Sequence, residues 1–321
     1  MEFNDRLLAT PDLEAAIARN PLIVKPETSL VQAIALMSQA RGSSCIINSE
    51  DLLPTDRPHS SCALVMENSQ LLGILTERDI VRLTAEEIDF EKVTVAEVMT
   101  QPVITLNQKN LQDIFAALFL FRRYHIRHSP IVEENNGLVG VISPETIRLA
   151  MRPANLLKLR RVADVMNKNV IHAPTTDSVL NLAQLMAQHQ VSCIVITEEY
   201  EPEEILIPVG IVTERDIMQF QSLQLKLNFL TAGEVMSRPL FLLSPEDSLL
   251  VANQEMQRRR VRRLVVSWNW GQGLGIITQT NLLKIFDPVE MYGVIQTLQN
   301  TIQQLQEENA QLLALVKSQN Q

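Results

Sequence analysis

Cysteine is scarce in this 321-residue chain: Cys45, Cys62 and Cys193 are the only three, and no two share a Cys-x-x-Cys spacing. An odd, unclustered set excludes a disulfide framework and points to a reducing compartment, the cytoplasm. Long apolar runs are missing too. The best candidate, Ile114 to Phe121, stops at Arg122 and Arg123, well short of a membrane span. The start, Met1-Glu2-Phe3-Asn4-Asp5, lacks the basic residues and apolar centre of a secretory signal. Positive charge is in deficit, with 28 Lys and Arg against 37 Asp and Glu and a formal charge of −9. Such a chain repels nucleic acid unless its cations gather on one face.

Reactive clusters are equally thin. His125 and His128 have no local carboxylate or cysteine cluster beside them, so no metal site is expected. Cys45 and Cys193 each follow a serine in an apolar run and read as small buried side chains in equivalent strand positions. Gly271-Gln272-Gly273-Leu274-Gly275 lacks the following Lys-Ser/Thr of a phosphate loop and reads as a turn. No catalytic constellation is found, and no enzyme activity is expected.

What is present is repetition. Thr-Glu-Arg-Asp-Ile occurs at Thr76–Ile80 and again at Thr213–Ile217. Val98-Met99-Thr100-Gln101-Pro102 and Val235-Met236-Ser237-Arg238-Pro239 recur at the same offset, so the chain is a duplication. Each half divides again, since Ala96–Met99, Ala163–Met166 and Gly233–Met236 share one pattern and Ala15-Ala16-Ile17-Ala18 is a degenerate fourth. Four units therefore begin near Pro21, Pro102, Asn169 and Pro239.

Each unit reads as strand, helix, strand, strand, helix, an α/β pattern. In the third, Val170–His172 is a short extended run. Val179, Leu182, Ala183 and Met186 follow a helical period behind an N-cap at Asp177 or Ser178. Cys193–Ile196 and Val209–Val212 are strands, and Thr213 opens a helix through Phe220. The first unit carries a longer connection between its middle strands, Ser49 to Ser61, expected to be an exposed loop.

These residues resemble the cystathionine-β-synthase (CBS) domain, over roughly residues 21 to 286. The resemblance implies four tandem β-α-β-β-α units forming two Bateman modules, 20–152 and 153–286; a leader helix (1–19) before them and a C-terminal coiled coil (287–321) after them are expected from the sequence. It implies a regulatory module that binds AMP, ADP, ATP or a related adenosyl ligand, requires no cofactor, and controls a partner or output domain. The family's Gly-x-x-Thr/Ser-x-x-Asp pattern matches at Gly73, Thr76 and Asp79 and at Gly210, Thr213 and Asp216, with Arg78 and Arg215 inside it. A helix N-terminus suits a phosphate, and a carboxylate one turn in can accept a ribose diol. The same Thr-x-x-Asp also spells a capping box that needs no ligand, and a ligand-free dimerisation scaffold is the alternative reading.

The second and fourth copies hold Thr146 and Asn281 where the acid is expected, so a site is anticipated in copies one and three only. The even copies instead carry Arg122, Arg123, Arg127 and His128, and Arg259, Arg262 and Arg263, ahead of their middle strands. These are phosphate-binding candidates, or else cations complementing a helix end.

From Met291 the pattern becomes heptad. Ile295, Ile302, Asn309 and Val316 occupy a, and Leu298, Leu305 and Leu312 occupy d. β-Branched a residues, Leu at d and one a-position Asn favour a parallel two-stranded coil, predicting a homodimer through 291–316. A single amphipathic helix folded on the body is the other reading. Asp287–Gly293 followed by a Gln-rich coil is similar to the input region of cyanobacterial-type sensor proteins.

Overall fold

The computed structural model describes residues 13–42, 59–110, 114–151, 157–158, 160–200, 205–269 and 273–286. The greater part of the leader, Cys45, and the heptad region from Met291 lie outside the described residues.

Each copy is a three-stranded sheet whose first strand runs parallel to the second and whose second runs antiparallel to the third. In copy one these are β1 (Pro21–Val24), β2 (His59–Glu67) and β3 (Gln70–Thr76). Copy two has β4 (Leu106–Asn107), β5 (Ser129–Val132) and β6 (Leu138–Ile142). Copy three has β7 (His172–Pro174), β8 (Cys193–Tyr200) and β9 (Ile205–Thr213). Copy four has β10 (Leu242–Leu243), β11 (Arg263–Trp268) and β12 (Gly273–Thr278).

The middle strand is central and covered, which is why it reads as an unbroken buried run such as Ser129–Val132. Helix Val179–His189 forms as its period predicts: Ser178 Oγ accepts from the Asn181 amide, and Val179, Leu182, Ala183 and Met186 are buried. Val179, Leu182 and Met186 each contribute about 1.5–3 kcal/mol by leaving water, and Ala183 less.

Three sequence expectations need correction. The first strand of copy three is His172–Pro174, two residues later than Val170–His172. In copy one the long connection does not separate the middle strands: β2 and β3 are joined by the tight turn at Asn68 and Ser69, and Ser61 is buried inside β2. The insertion falls before β2, because Ala63-Leu64-Val65, fully buried, supplies the central strand. The partner of Cys193 is therefore Cys62 and not Cys45: Cys62 faces Thr76 across β2 and β3 as Cys193 faces Thr213 across β8 and β9. Both thiols are buried, and burial pushes that of Cys193 up, as suits an inert side chain.

The Val-Met turns tie the copies into two modules by reciprocal exchange. The turn that precedes copy two places Thr100 against Ile74 of copy one, while Ala18, ahead of copy one, pairs with Val141 of copy two. In the second half Ser237 pairs with Ile211 and Asn167 with Ile276. So copies one and two form one module, and three and four the other.

The modules meet through helices. Met218 of copy three enters the core of copy one, and Val81 of copy one enters that of copy three. Copies two and four share one continuous core. Polar pairs cross both seams: Gln221 donates to Thr84 Oγ1 (3.1 Å), and Arg148 donates to Asn253 Oδ1 (3.1 Å). The four copies close a ring in the order one, two, four, three.

Candidate functional site

Each β-strand that ends a copy runs straight into a capped helix. Thr76 caps Glu77–Ala85 and Thr213 caps Glu214–Ser222. Asp79 Oδ2 accepts from the Thr76 amide (2.8 Å) and hydroxyl (2.7 Å), and its Oδ1 accepts from Thr100 Oγ1 (3.1 Å). Asp216 Oδ2 accepts from Thr213 at 2.8 and 2.7 Å in the same way. Burial raises the Asp216 carboxyl above its ordinary range, and the Thr213 hydrogen bonds oppose that rise.

The even copies keep the cap without the acid. Asn281 Oδ1 accepts from the Thr278 amide (2.9 Å) and hydroxyl (2.7 Å), while its Nδ2 donates to the Val165 carbonyl (3.0 Å). Thr146 Oγ1 accepts from the Ser143 amide (2.9 Å). The cap is thus a property of all four copies, and the carboxylate is a property of two. A carboxylate has about four acceptor positions, more than capping uses.

Where the four copies meet lies a cavity of about 1080 Å³. Thr76 and Asp79 of copy one line it, and so do Arg122, Arg127 and His128 of copy two and Arg262 and Arg263 of copy four. Although the chain carries a net charge of −9, arginines from three copies line this cavity. Arg127 and Arg262 are each held by a carboxylate from the diagonally opposite copy, and other contacts come from adjacent copies. Arg127 of copy two donates to both oxygens of Glu214 in copy three (2.7 and 2.6 Å), which Arg78 of copy one approaches at 3.6 Å. Arg262 of copy four reaches Glu77 of copy one (3.4 Å) and Glu145 of copy two (3.0 Å).

The Glu214 side chain is 1% exposed and that of Glu77 5%. Burial, then the neighbouring Arg127, lowers Arg78, with Glu214 opposing. For Arg262 burial also pulls downward, but Glu77 and Glu145 outweigh it and the net direction is up.

The model of the CBS domain family, described as "CBS domain", matches residues 13–86, 95–152, 162–222 and 232–287, most of the chain. The chain belongs to the CBS-domain family. Among solved structures it is similar to the protein MJ1225 from Methanocaldococcus jannaschii, proposed as an archaeal homolog of g-AMPK (TM-score 0.69, 21% identity, covering 86% of this chain and 100% of that one). In sequence it is 25% identical to the same protein over 168 residues, 49% of this chain and 57% of MJ1225. It is also 30% identical to the L-aspartate semialdehyde sulfurtransferase of that organism over 123 residues, 38% of this chain and 22% of the enzyme. The alignments thus span little more than half of the first relative and under a quarter of the second.

In this CBS-domain protein the expected site residues separate into two groups. Thr76, Arg78, Asp79, Arg122, Arg127, His128, Arg262 and Arg263 come together around the cavity. Thr213, Arg215, Asp216, Arg123 and Arg259 are not among its lining residues. Arg259 instead bonds Glu255 (3.0 Å) and lies over the Phe241 ring at 4.1 Å from its centroid. His128 Nε2 pairs with Ser61 Oγ at 2.7 Å, and Arg263 donates to the Ser192 carbonyl. Burial and the nearby Arg262 lower Arg215.

Sequence reasoning missed Glu77, Glu214 and Glu145. The signal was the glutamate repeated directly after the caps Thr76 and Thr213, and one residue further on in copy two, which capping does not require. It also missed why the motif begins with glycine: a Cβ at Gly73 or Gly210 would overlap the side chain of Met99 or Met236 from the docked turn. No group of three or more metal-ligating side chains occurs among the described residues, nor does any described helix suit a membrane crossing.

Proposed function

We propose that this chain is a cytoplasmic regulatory sensor that binds an adenine nucleotide in the central cavity and relays occupancy to a partner. One observation carries the reading: a capped helix N-terminus with the Asp79 carboxylate faces the same cavity as arginines from two other copies. Asp79 supplies the acceptor for a ribose diol, and Arg127, Arg262 and Arg263 supply forks that match phosphate oxygens. The adenine base follows from the CBS pattern at Gly73, Thr76 and Asp79. The concentration of guanidinium groups favours AMP, ADP or ATP over a cationic adenosyl compound such as S-adenosylmethionine.

A thermal-shift panel of ATP, ADP, AMP, adenosine and S-adenosylmethionine tests this. Phosphorylated members are expected to raise the melting temperature with micromolar-range affinity, about −8 kcal/mol. If none of them does so at millimolar concentration, the chain is a scaffold whose Thr-x-x-Asp motifs only cap helices.

The heptad at 291–316 supports a parallel homodimer as the route of relay. Light scattering on the full chain and on one ending before Met291 is expected to show a dimer that weakens on truncation while nucleotide binding persists. A full-length monomer at tens of micromolar would remove the coil from the mechanism.

A further inference from the structure

The paired arginines pose a question of energetics. A buried ion pair is no better for stability than well-packed apolar residues, because desolvation offsets the attraction. Two such pairs nevertheless occupy the centre of the molecule, in matching positions. Glu77 follows the cap Thr76 and Glu214 follows the cap Thr213, each on the first turn of its helix. Each takes an arginine from the diagonal copy of the other module: Glu214 takes Arg127, and Glu77 takes Arg262. A carboxylate presents two oxygens to a guanidinium much as a phosphate does. Glu77 therefore places, beside the capped helix N-terminus, the same anion chemistry that a nucleotide would bring.

We infer that Glu77 and Glu214 are built-in anions that hold the cavity arginines in the resting chain, and that the phosphates of a bound nucleotide displace them. This rests on the nucleotide reading of the cavity and adds its regulation. Both pairs run from one module to the other. Displacement therefore exchanges ties between modules for ties to ligand, and occupancy changes how firmly the two modules are joined. The energy for this comes from the difference in ligand affinity between the tied and released forms. The tied form also lowers apparent affinity, by the fraction of chains whose arginines are released.

The test compares full-length wild type with Glu77→Gln, Glu214→Gln and the double variant, titrated with ATP and with adenosine. Glutamine keeps the shape and one acceptor but loses the charge. The double variant is expected to bind ATP roughly tenfold more tightly, with adenosine affinity within about twofold of wild type. Unchanged or weakened ATP binding in a folded variant overturns the inference and leaves the nucleotide site standing. A wild type that binds neither probe removes the nucleotide reading and this inference together. Should the double variant fail to fold, the single variants carry the comparison: Glu214→Gln frees Arg127 and is expected to tighten ATP binding, whereas Glu77→Gln leaves Arg262 on Glu145 at 3.0 Å and is expected to gain less. A gain shared equally by ATP and adenosine marks a general loosening of the fold and also overturns it.

Discussion

Asparagine at position 79 is expected to leave thermal stability unchanged while weakening nucleotide binding by roughly 10- to 150-fold. The reason is written into the chain itself. Copy four already carries an asparagine in this slot, and Asn281 accepts from the Thr278 amide and hydroxyl as Asp79 accepts from Thr76. The cap therefore survives the change, and the Thr100 hydroxyl, donor and acceptor both, can turn to receive the new amide. What disappears is a charged acceptor for the ribose hydroxyls, a loss of about 1.5–3 kcal/mol. Asp79→Ala removes both functions and should also destabilise the fold by about 0.5–2 kcal/mol. Melting curves and titrations of the two variants separate the cap from the ligand role. An Asp79→Asn protein that binds as wild type does would leave the residue a cap only.

The largest effect on stability is expected at Gly140. A Cβ there would overlap the backbone carbonyl oxygen of Ala18 and stand 2.6 Å from Ile17 Cγ2. At Gly73 the obstacle is the flexible Met99 side chain, which can move; at Gly140 it is the main chain of the docked segment. That segment is held by a reciprocal pair, Ala18 amide to Val141 carbonyl and the reverse, each 2.9 Å. Gly140→Ala should cost about 1–3 kcal/mol for overpacking, plus about 1 kcal/mol for each hydrogen bond lost. Chemical denaturation of Gly140→Ala beside Gly73→Ala checks the order. If Gly73→Ala is the more damaging, the exchange of segments between copies one and two contributes less to the first module than the geometry indicates.

Much of this fold is legible locally. The duplicated Thr-Glu-Arg-Asp-Ile string, the Val-Met turns and the helical period at Val179–Met186 depend on near neighbours, and the caps at Thr76, Thr213 and Thr278 form as their spacing implies. The misplaced insertion of copy one has a local cause too. Ser44-Cys45 and Ser61-Cys62 both precede apolar residues, so pattern alone does not choose between them. Burial of Ala63, Leu64 and Val65 in the central strand of the sheet decides it.

The site is harder to read than the fold because its partners come from all four copies. That Arg127 and Arg262 are candidate anion-binding groups follows from the basic clusters ahead of β5 and β11. That they are taken by Glu214 and Glu77 follows only from the ring order one, two, four, three, which Val81 and Met218 fix by crossing between cores. Those two residues look like ordinary helix-interior side chains in sequence. Likewise, the separation of Asp79, which lines the cavity, from Asp216, which does not, is invisible in two identical five-residue motifs.

The central claim is a nucleotide site built from Asp79 and the arginines of other copies. Its most direct measurement is an isothermal titration of ATP into the full-length chain, with Asp79→Asn run alongside. Micromolar-range binding to the wild type, about −8 kcal/mol, with at least tenfold weaker binding to the variant at the same melting temperature, is the expected result. No heat from millimolar ATP with the wild type, or equal affinity in both proteins, would contradict it.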